Sequence, residues 1–203
     1  RFFIVENIRT ARRFMKKVNR EIDIDRLTFF ELNKHTSQQD LPTFLAPLEK
    51  GSDVAVISEA GCPGVADPGA EVVRIAHEKG FTVEPIAGPS SIILALMASG
   101  LNGQNFAFNG YLPVRKQQRM RAIQWLERKA ENDLQTQLFI ETPYRNNQLV
   151  NDLLKICSSS TLLCIAANLT SEREFISTKK IVQWKKGVPD LHKQPAIFLI
   201  GKE

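Results

Sequence analysis

An α/β fold with a parallel sheet is predicted for this 203-residue chain, and three features carry that reading. Short apolar runs rich in β-branched and aromatic residues alternate with helix-patterned stretches through the first hundred residues. The junctions between them are built from Gly, Pro, Ser and Asp, the residues that turn chains and start helices. The chain is 43% hydrophobic and 24% charged, which supplies a real core and excludes a disordered polymer.

Phe2 to Val5 reads as a buried strand, and Asn7 is placed to cap a basic helix over Ile8 to Val18. Leu27 to Leu32, rich in β-formers, is a second strand. Gln39 to Lys50 is expected to be one helix closed by Gly51. Asp53 to Ile57 is a short apolar strand, buried on both faces. Asp67 followed by Pro68 starts the next helix, with a capping carboxylate and then proline at the first helical position, and Gly80 ends it. Phe81 to Ile86 is expected as a further strand. The helix Ile92 to Ser99 is apolar nearly all round and is expected to be buried. A second section follows Leu112: a basic helix Lys116 to Ala130, a strand Gln137 to Glu141, a helix Arg145 to Ile156, a strand Leu162 to Ala167, a helix around Thr178 to Lys186 and a last strand Ala196 to Ile200. The expected domains are therefore residues 1–111 and 112–203. Arg1 stands where Met would start a natural chain and a strand is already under way at Phe2, so the sequence reads as a fragment without its natural start.

No run of 18 apolar residues and no secretory leader is present, so no membrane partner is expected. Cys62, Cys157 and Cys164 are odd in number and form no CxxC pair, which points away from a disulfide framework and toward a reducing, cytoplasmic setting. His35, His77 and His192 are far apart and match no zinc spacing, so no metal site is expected. Charge is uneven. Residues 1–20 hold seven bases and one acid, residues 115–129 six bases and one acid, whereas residues 51–101 hold six acids and two bases. Basic clusters on an otherwise balanced chain suit a polyanion such as nucleic acid; solvated helix faces are the plainer alternative.

Four strand-end turns carry candidate chemistry, one of them Asn168 to Glu172 after the strand Leu162 to Ala167. The loop Ser58 to Gly69 holds three glycines and two prolines between a buried strand and a helix, where ligands bind in open α/β sheets. It contains neither GxxxxGK[ST] nor GxGxxG, which removes the common nucleotide signatures. Gly88-Pro89-Ser90-Ser91 is a second strand-to-helix turn, whose hydroxyls either cap the helix or bind a polar ligand edge. Glu141 and Arg145, four apart at another strand end, either pair with each other or face substrate. Nothing in the order of Ser, His, Asp or Cys suggests a nucleophilic triad.

Together these segments resemble one family. Ser58-Glu-Ala-Gly-Cys-Pro-Gly-Val-Ala-Asp-Pro-Gly69 is similar to the SDAGTPxISDPG signature of the tetrapyrrole methylase superfamily, and more narrowly to the bacterial 16S ribosomal RNA cytidine 2′-O-ribose methyltransferases. Gly88 to Ser91 with Ser99-Gly100-Leu101 is similar to GPSAxxxALxxSGL, Phe108 to Pro113 to FxGFLP, Glu141 to Arg145 to E[ST]PHR, and Val5 to Arg13 to AEDTRxTRR. The resemblance covers essentially the whole chain. It departs where Glu59 stands for Asp, where Tyr144 stands for His, where Leu169 to Glu174 stands for LTKxHE, and where a glycine-containing first strand and turn is absent.

The resemblance implies a two-domain tetrapyrrole-methylase-like fold, with a parallel-sheet N-terminal domain, a mixed-sheet C-terminal domain, and S-adenosylmethionine bound in the cleft between them. It implies cofactor contacts from Ser58, Cys62, Val65, Ser90, Ser91, Ile92, Leu112, Leu169, Pro195 and Ala196. It also implies 2′-O-methylation of a ribose in ribosomal RNA, a ribosomal RNA or small-subunit partner, and a homodimer. A ribose hydroxyl is a weak nucleophile that gains from a base or a polarising cation, and Glu141 and Arg145 are the candidates. Arg9, Arg12, Arg13, Lys116, Arg119 and Arg121 are the candidates for RNA phosphates. Methylation of a small molecule such as a tetrapyrrole, and a non-catalytic RNA-binding module, are the alternatives.

Overall fold

The computed structural model describes residues 1–202. They form two compact units, Arg1–Pro89 and Ser90 onward. The expected division after residue 111 lies one helix and one strand later.

The first unit is a three-stranded parallel sheet with helices. Strand β1 (Phe2–Val5) lies between β2 (Thr28–Glu31) and β3 (Val54–Ile57). Helix α1 (Ile8–Val18) starts where Asn7 Oδ1 accepts the Thr10 amide at 3.1 Å, the cap the sequence places there. Residues 39–50 form two short helices, α2 (Leu41–Phe44) and α3 (Ala46–Glu49), instead of one. Pro47 is the cause: it brings no N–H and its ring collides with the carbonyl four residues back. Helix α4 (Gly69–Glu78) completes the unit, whose core is Ile4, Leu32, Leu41, Leu45, Val72, Ile75 and Ala76.

Residues 81–86 are not a strand. Phe81 and Val83 pack against the core and alternate with exposed Thr82 and Glu84, so the apolar period of two is present. Among the described residues no strand edge pairs with the segment, and Pro85 supplies no amide. An alternating pattern without a ladder partner stays irregular.

The second unit begins with α5 (Ser91–Ser99), β4 (Phe106–Tyr111), α6 (Lys116–Asn132), β5 (Thr136–Ile140) and α7 (Asn146–Ile156). It continues with β6 (Leu162–Ala167), β7 (Phe175–Lys180), α8 (Ile181–Trp184) and β8 (Ala196–Gly201). The strand order is β4-β5-β8-β6-β7, with β4 and β5 parallel and the other pairs antiparallel, a mixed sheet. Its faces alternate along β5 and β8. Phe139, Phe198 and Ile200 join Ile123, Leu126, Leu149, Leu153 and Trp184 in one cluster, while Leu138, Ile197 and Leu199 join Ala95 and Leu96 of α5 in another.

Two expectations change here. The helix expected around 178–186 is present but shortened to the four residues of α8, because residues 178–180 are the end of strand β7. Its β-branched Ile176 and Thr178 complete the edge beside β6, and Lys179 and Lys180 at the strand end suit an edge that must not recruit another chain. Helix α5 is buried on one face only: Ala95 and Leu96 are inside, whereas Met97 is 74% exposed and Ile93 44%. Among the described residues, no helix is long and apolar enough to cross a membrane.

Candidate functional site

In the first unit, Val5 is level with Ile57, so the parallel strands β1 and β3 deliver Glu6 and Ser58 to the same end of the sheet. The two loops are tied there. The Glu59 amide donates to Glu6 Oε1 at 2.8 Å, and the Thr10 hydroxyl donates to the Glu59 carboxylate. The Ser58 hydroxyl lies 3.2 Å from the Ala60 carbonyl and 3.3 Å from that of Gly61, which folds the loop back on itself.

Asp67 does more than start α4. Its Oδ1 accepts the Gly69 amide at 2.6 Å and the Gly64 amide at 2.8 Å, closing the loop onto the helix start. The approach is so tight that a Cβ on Gly69 would stand 2.7 Å from Asp67 Oδ1 and 3.1 Å from Val56 Cγ1. The closure leaves Val65 exposed at the loop surface, and Cys62 Sγ reaches the Pro89 carbonyl at 3.9 Å. The loop after β3 and the turn ending at Pro89 are thus neighbours.

In the second unit, register gathers the expected residues. Tyr111 pairs with Ile140, Ile140 with Ile197, and Ile197 with Ala166, one continuous row across four strands. One residue further along lie Leu112, Glu141, Ala196 and Ala167 at a common sheet end. Pro195 precedes Ala196 there, and Leu169 follows two residues after β6.

Helix α5 points its start at that same end. Its far end is fixed at the opposite edge of the rows, where Leu101 packs on Gly201 and the Thr178 hydroxyl donates to the Ser99 carbonyl at 2.6 Å. Nine residues span about 13 Å. Ile92 in the first turn accordingly packs, as do Leu169 and Ile140, against the cluster that holds Ala166 and Ile197. Ser90 sits at the N-cap position with extended backbone and makes no capping bond through its side chain. The first amides of α5 and the Ser90 hydroxyl therefore remain available.

Glu141 and Arg145 are brought together. Arg145 Nη2 donates to Glu141 Oε1 at 2.6 Å, and the same oxygen accepts the Thr142 amide. The Glu141 side chain is 1% exposed and that of Arg145 33%.

An amide bridge around Gln194 was not foreseen from the sequence. Asn146 Nδ2 donates to the Gln194 carbonyl at 2.6 Å, and Asn168 Nδ2 donates to Gln194 Oε1 at 2.6 Å. The Asn168 amide donates to the Pro195 carbonyl at 2.9 Å. Three strand ends are thereby linked just before Pro195 and Ala196. Asn168 has φ +52°, a backbone setting that Asn tolerates better than most residues. Arg145 Nε and Asn146 Oδ1 are buried here without a hydrogen-bond partner among the described residues.

The basic candidates separate. Arg9, Arg13, Lys116 and Arg121 are exposed. Arg12 pairs with Asp25 at 2.8 Å. Arg119 is removed from the phosphate-binding set, because it is 2% exposed and paired with the buried Asp152. Among the described residues, no three of His, Cys, Asp and Glu cluster as metal ligands.

A family model described as tetrapyrrole (corrin/porphyrin) methylases matches residues 9–183. The ribosomal RNA small subunit methyltransferase I of Escherichia coli O157:H7 is 30% identical over 174 residues, covering 84% of this chain and 59% of that protein. Its namesake from Haemophilus influenzae is 31% identical, covering 85% and 60%. The chain thus spans about 60% of the length of these relatives. Among solved structures, the methyltransferase CobJ matches with a TM-score of 0.60 at 16% identity, covering 99% of this chain and 94% of that one. A uroporphyrin-III C-methyltransferase from Thermus thermophilus, complexed with S-adenyl homocysteine, matches with a TM-score of 0.50 at 16% identity, covering 99% and 97%. At these identities the structural likenesses carry the fold.

Proposed function

The chain belongs to the tetrapyrrole (corrin/porphyrin) methylase family, and from that premise we propose that it is an S-adenosylmethionine-dependent methyltransferase acting on a ribose 2′-hydroxyl of ribosomal RNA, in the cytoplasm and as a homodimer. The observation that carries the reading is the convergence at one sheet end of Leu112, Leu169, Pro195, Ala196 and the start of α5. The relatives named ribosomal RNA small subunit methyltransferase I favour RNA over a tetrapyrrole as the acceptor. The apolar Ile93 and Met97 on the outer side of α5 are the surface a second copy would cover.

The residues suit the cofactor. Leu169 is partly exposed and offers apolar surface to a purine beside the buried Leu112 and Ala196, and the free first amides of α5 with the Ser90 hydroxyl suit a carboxylate. The orphaned Arg145 Nε and Asn146 Oδ1 are a donor and an acceptor that a polar ligand satisfies. On the first unit, Ser58, Cys62 and Val65 lie on the loop that Asp67 closes.

When bound, S-adenosylmethionine supplies an electrophilic methyl group for in-line displacement. The protein's task is to hold the acceptor oxygen about 3–3.5 Å from that carbon and to exclude water. Arg145, anchored by Glu141, has the partly exposed guanidinium that lowers the proton affinity of the acceptor hydroxyl, whose proton passes to solvent water as the oxygen bonds the methyl carbon and the thioether leaves. Glu141 already accepts from two donors, so its part is to hold Arg145 in place.

The test uses the full-length protein, methyl-labelled cofactor and unmodified small-subunit RNA, with nuclease digestion to locate the label. Label on a ribose 2′-oxygen supports the reading. Label on a base or on an added tetrapyrrole replaces it, and absence of cofactor binding by calorimetry leaves only the binding-module alternative.

A further inference from the structure

Helix α1 turns Ile8, Ala11 and Met15 toward the protein. At about 100° per residue, Arg9, Arg13 and Lys17 fall within about 80° of one another on the opposite side. All three are exposed, and their side chains make no hydrogen bond or ion pair among the described residues. Their neighbours are already engaged: Arg12 pairs with Asp25, and Lys16 Nζ donates to the carbonyls of Arg20 at 3.2 Å and Ile22 at 2.6 Å. The sequence contains basic residues of two kinds here, and the structure separates them.

The free stripe is unfavourable for the helix by itself. No acid lies between Ile8 and Val18 to neutralise it, like charges at i,i+4 repel, and Arg9 stands in the first turn, where the helix dipole disfavours a cation. A polyanion laid along the stripe reverses each of these terms. Successive members are about 6 Å apart along the axis, close to the distance between neighbouring phosphates on an extended strand. Beside the stripe, Phe14 is 53% exposed, one turn from Lys17 and Val18, where a base can stack on it. A membrane surface would need a broad apolar face outward, whereas Ile8, Ala11 and Met15 are turned inward and only Phe14 and Val18 of the helix's apolar residues are exposed.

We infer that Arg9, Arg13 and Lys17 form a rail for three successive phosphates of a single-stranded stretch of the substrate RNA, with Phe14 as the platform for one of its bases. The inference rests on the RNA reading above and adds the surface that grips the strand.

The experiment measures affinity of the full-length protein for protein-free 16S ribosomal RNA over a salt series. The triple variant Arg9→Gln/Arg13→Gln/Lys17→Gln is expected to flatten the slope of log affinity against log salt by about 2, from about 0.7 per phosphate released. A charge-matched control, Arg26→Gln/Arg74→Gln/Lys79→Gln, removes three cations that are already ion-paired and is expected to keep the wild-type slope. Phe14→Ala is expected to weaken binding about 5- to 150-fold with the slope unchanged. Calorimetry with S-adenosylmethionine is expected to give wild-type affinity for the triple variant. A wild-type slope in the triple variant overturns the rail, as does an equal flattening in the control, or loss of binding to phosphatidylserine vesicles without loss of RNA binding. Failure of the wild-type protein to bind RNA at any salt overturns the underlying RNA reading instead.

Discussion

Arg119 reaches one carboxylate oxygen of Asp152 through two nitrogens, Nε at 2.9 Å and Nη2 at 2.7 Å, and both side chains are buried. Its third nitrogen, Nη1, lies 2.7 Å from the Val114 carbonyl and 3.4 Å from that of Pro113. The pair thereby ties α6 and α7 to the segment just after Leu112. Arg119→Ala is expected to destabilise the protein by about 3–5 kcal/mol in urea unfolding, because Asp152 is left charged and buried. Arg119→Lys recovers little of this, since a single ammonium cannot reproduce the fork. Destabilisation below about 1 kcal/mol would place the pair among weak surface bridges.

The amide bridge gives a second expectation. Gln194→Ala removes the acceptor of Asn168 Nδ2 and the donor that reaches the Asp190 carbonyl at 2.6 Å. Loss of about 1–3 kcal/mol of stability is expected, with weaker binding of S-adenosylhomocysteine by calorimetry. Unchanged affinity in a folded variant separates the bridge from the cofactor site.

Gly69 gives a third. In Gly69→Ala the new methyl group must displace Asp67 Oδ1 or Val56, releasing the amides of Gly64 and Gly69. A cost of about 1–3 kcal/mol is expected. Gly187→Ala is the comparison: a Cβ there meets nothing within 4 Å, and a change within about 0.5 kcal/mol is expected. Thermal unfolding of both variants checks the difference.

The thiols give a pH dependence. Burial, and then the Glu127 charge, push the Cys157 thiol from 9.0 up to about 12, and burial also raises Cys164. Cys62 is partly exposed. At pH 8 a thiol reagent is expected to label Cys62 first and the other two only on unfolding, as peptide mapping would show. The native state keeps the Cys157 proton at a pH where the unfolded chain releases it. Stability is therefore expected to fall as pH rises from about 9 toward 12, and Cys157→Ala should flatten that fall.

Much of the fold was legible because its signals are local. Asn7 ahead of an amphipathic run, Asp67-Pro68 ahead of another, and the apolar runs that became β3, β6 and β8 each state their structure within a few residues. Family motifs at the strand ends likewise stand in contiguous segments, so Ser58, Ser90, Leu112 and Glu141 were visible as candidates before any coordinates.

Other features depend on partners distant in the chain. Residues 81–86 carry a strand's alternation and lack a strand beside them, whereas residues 175–180 became a strand because β6 offered an edge. Arg119 and Arg13 look alike in a basic run, yet one meets Asp152 inside the protein and the other meets solvent. The Asn168 turn was readable as a strand end, but its link to Gln194, and that of Asn146, was not, because a bridge across 48 and 26 residues exists only after the sheet has aligned its strand ends. Sequence alone determined which segments are helix-like or strand-like and which turns carry the family motifs, since propensity and periodicity act over a few residues. Tertiary structure decided which strands find ladders, which charges are spent internally and which amides meet, since hydrogen bonding and desolvation are settled between segments brought together by folding.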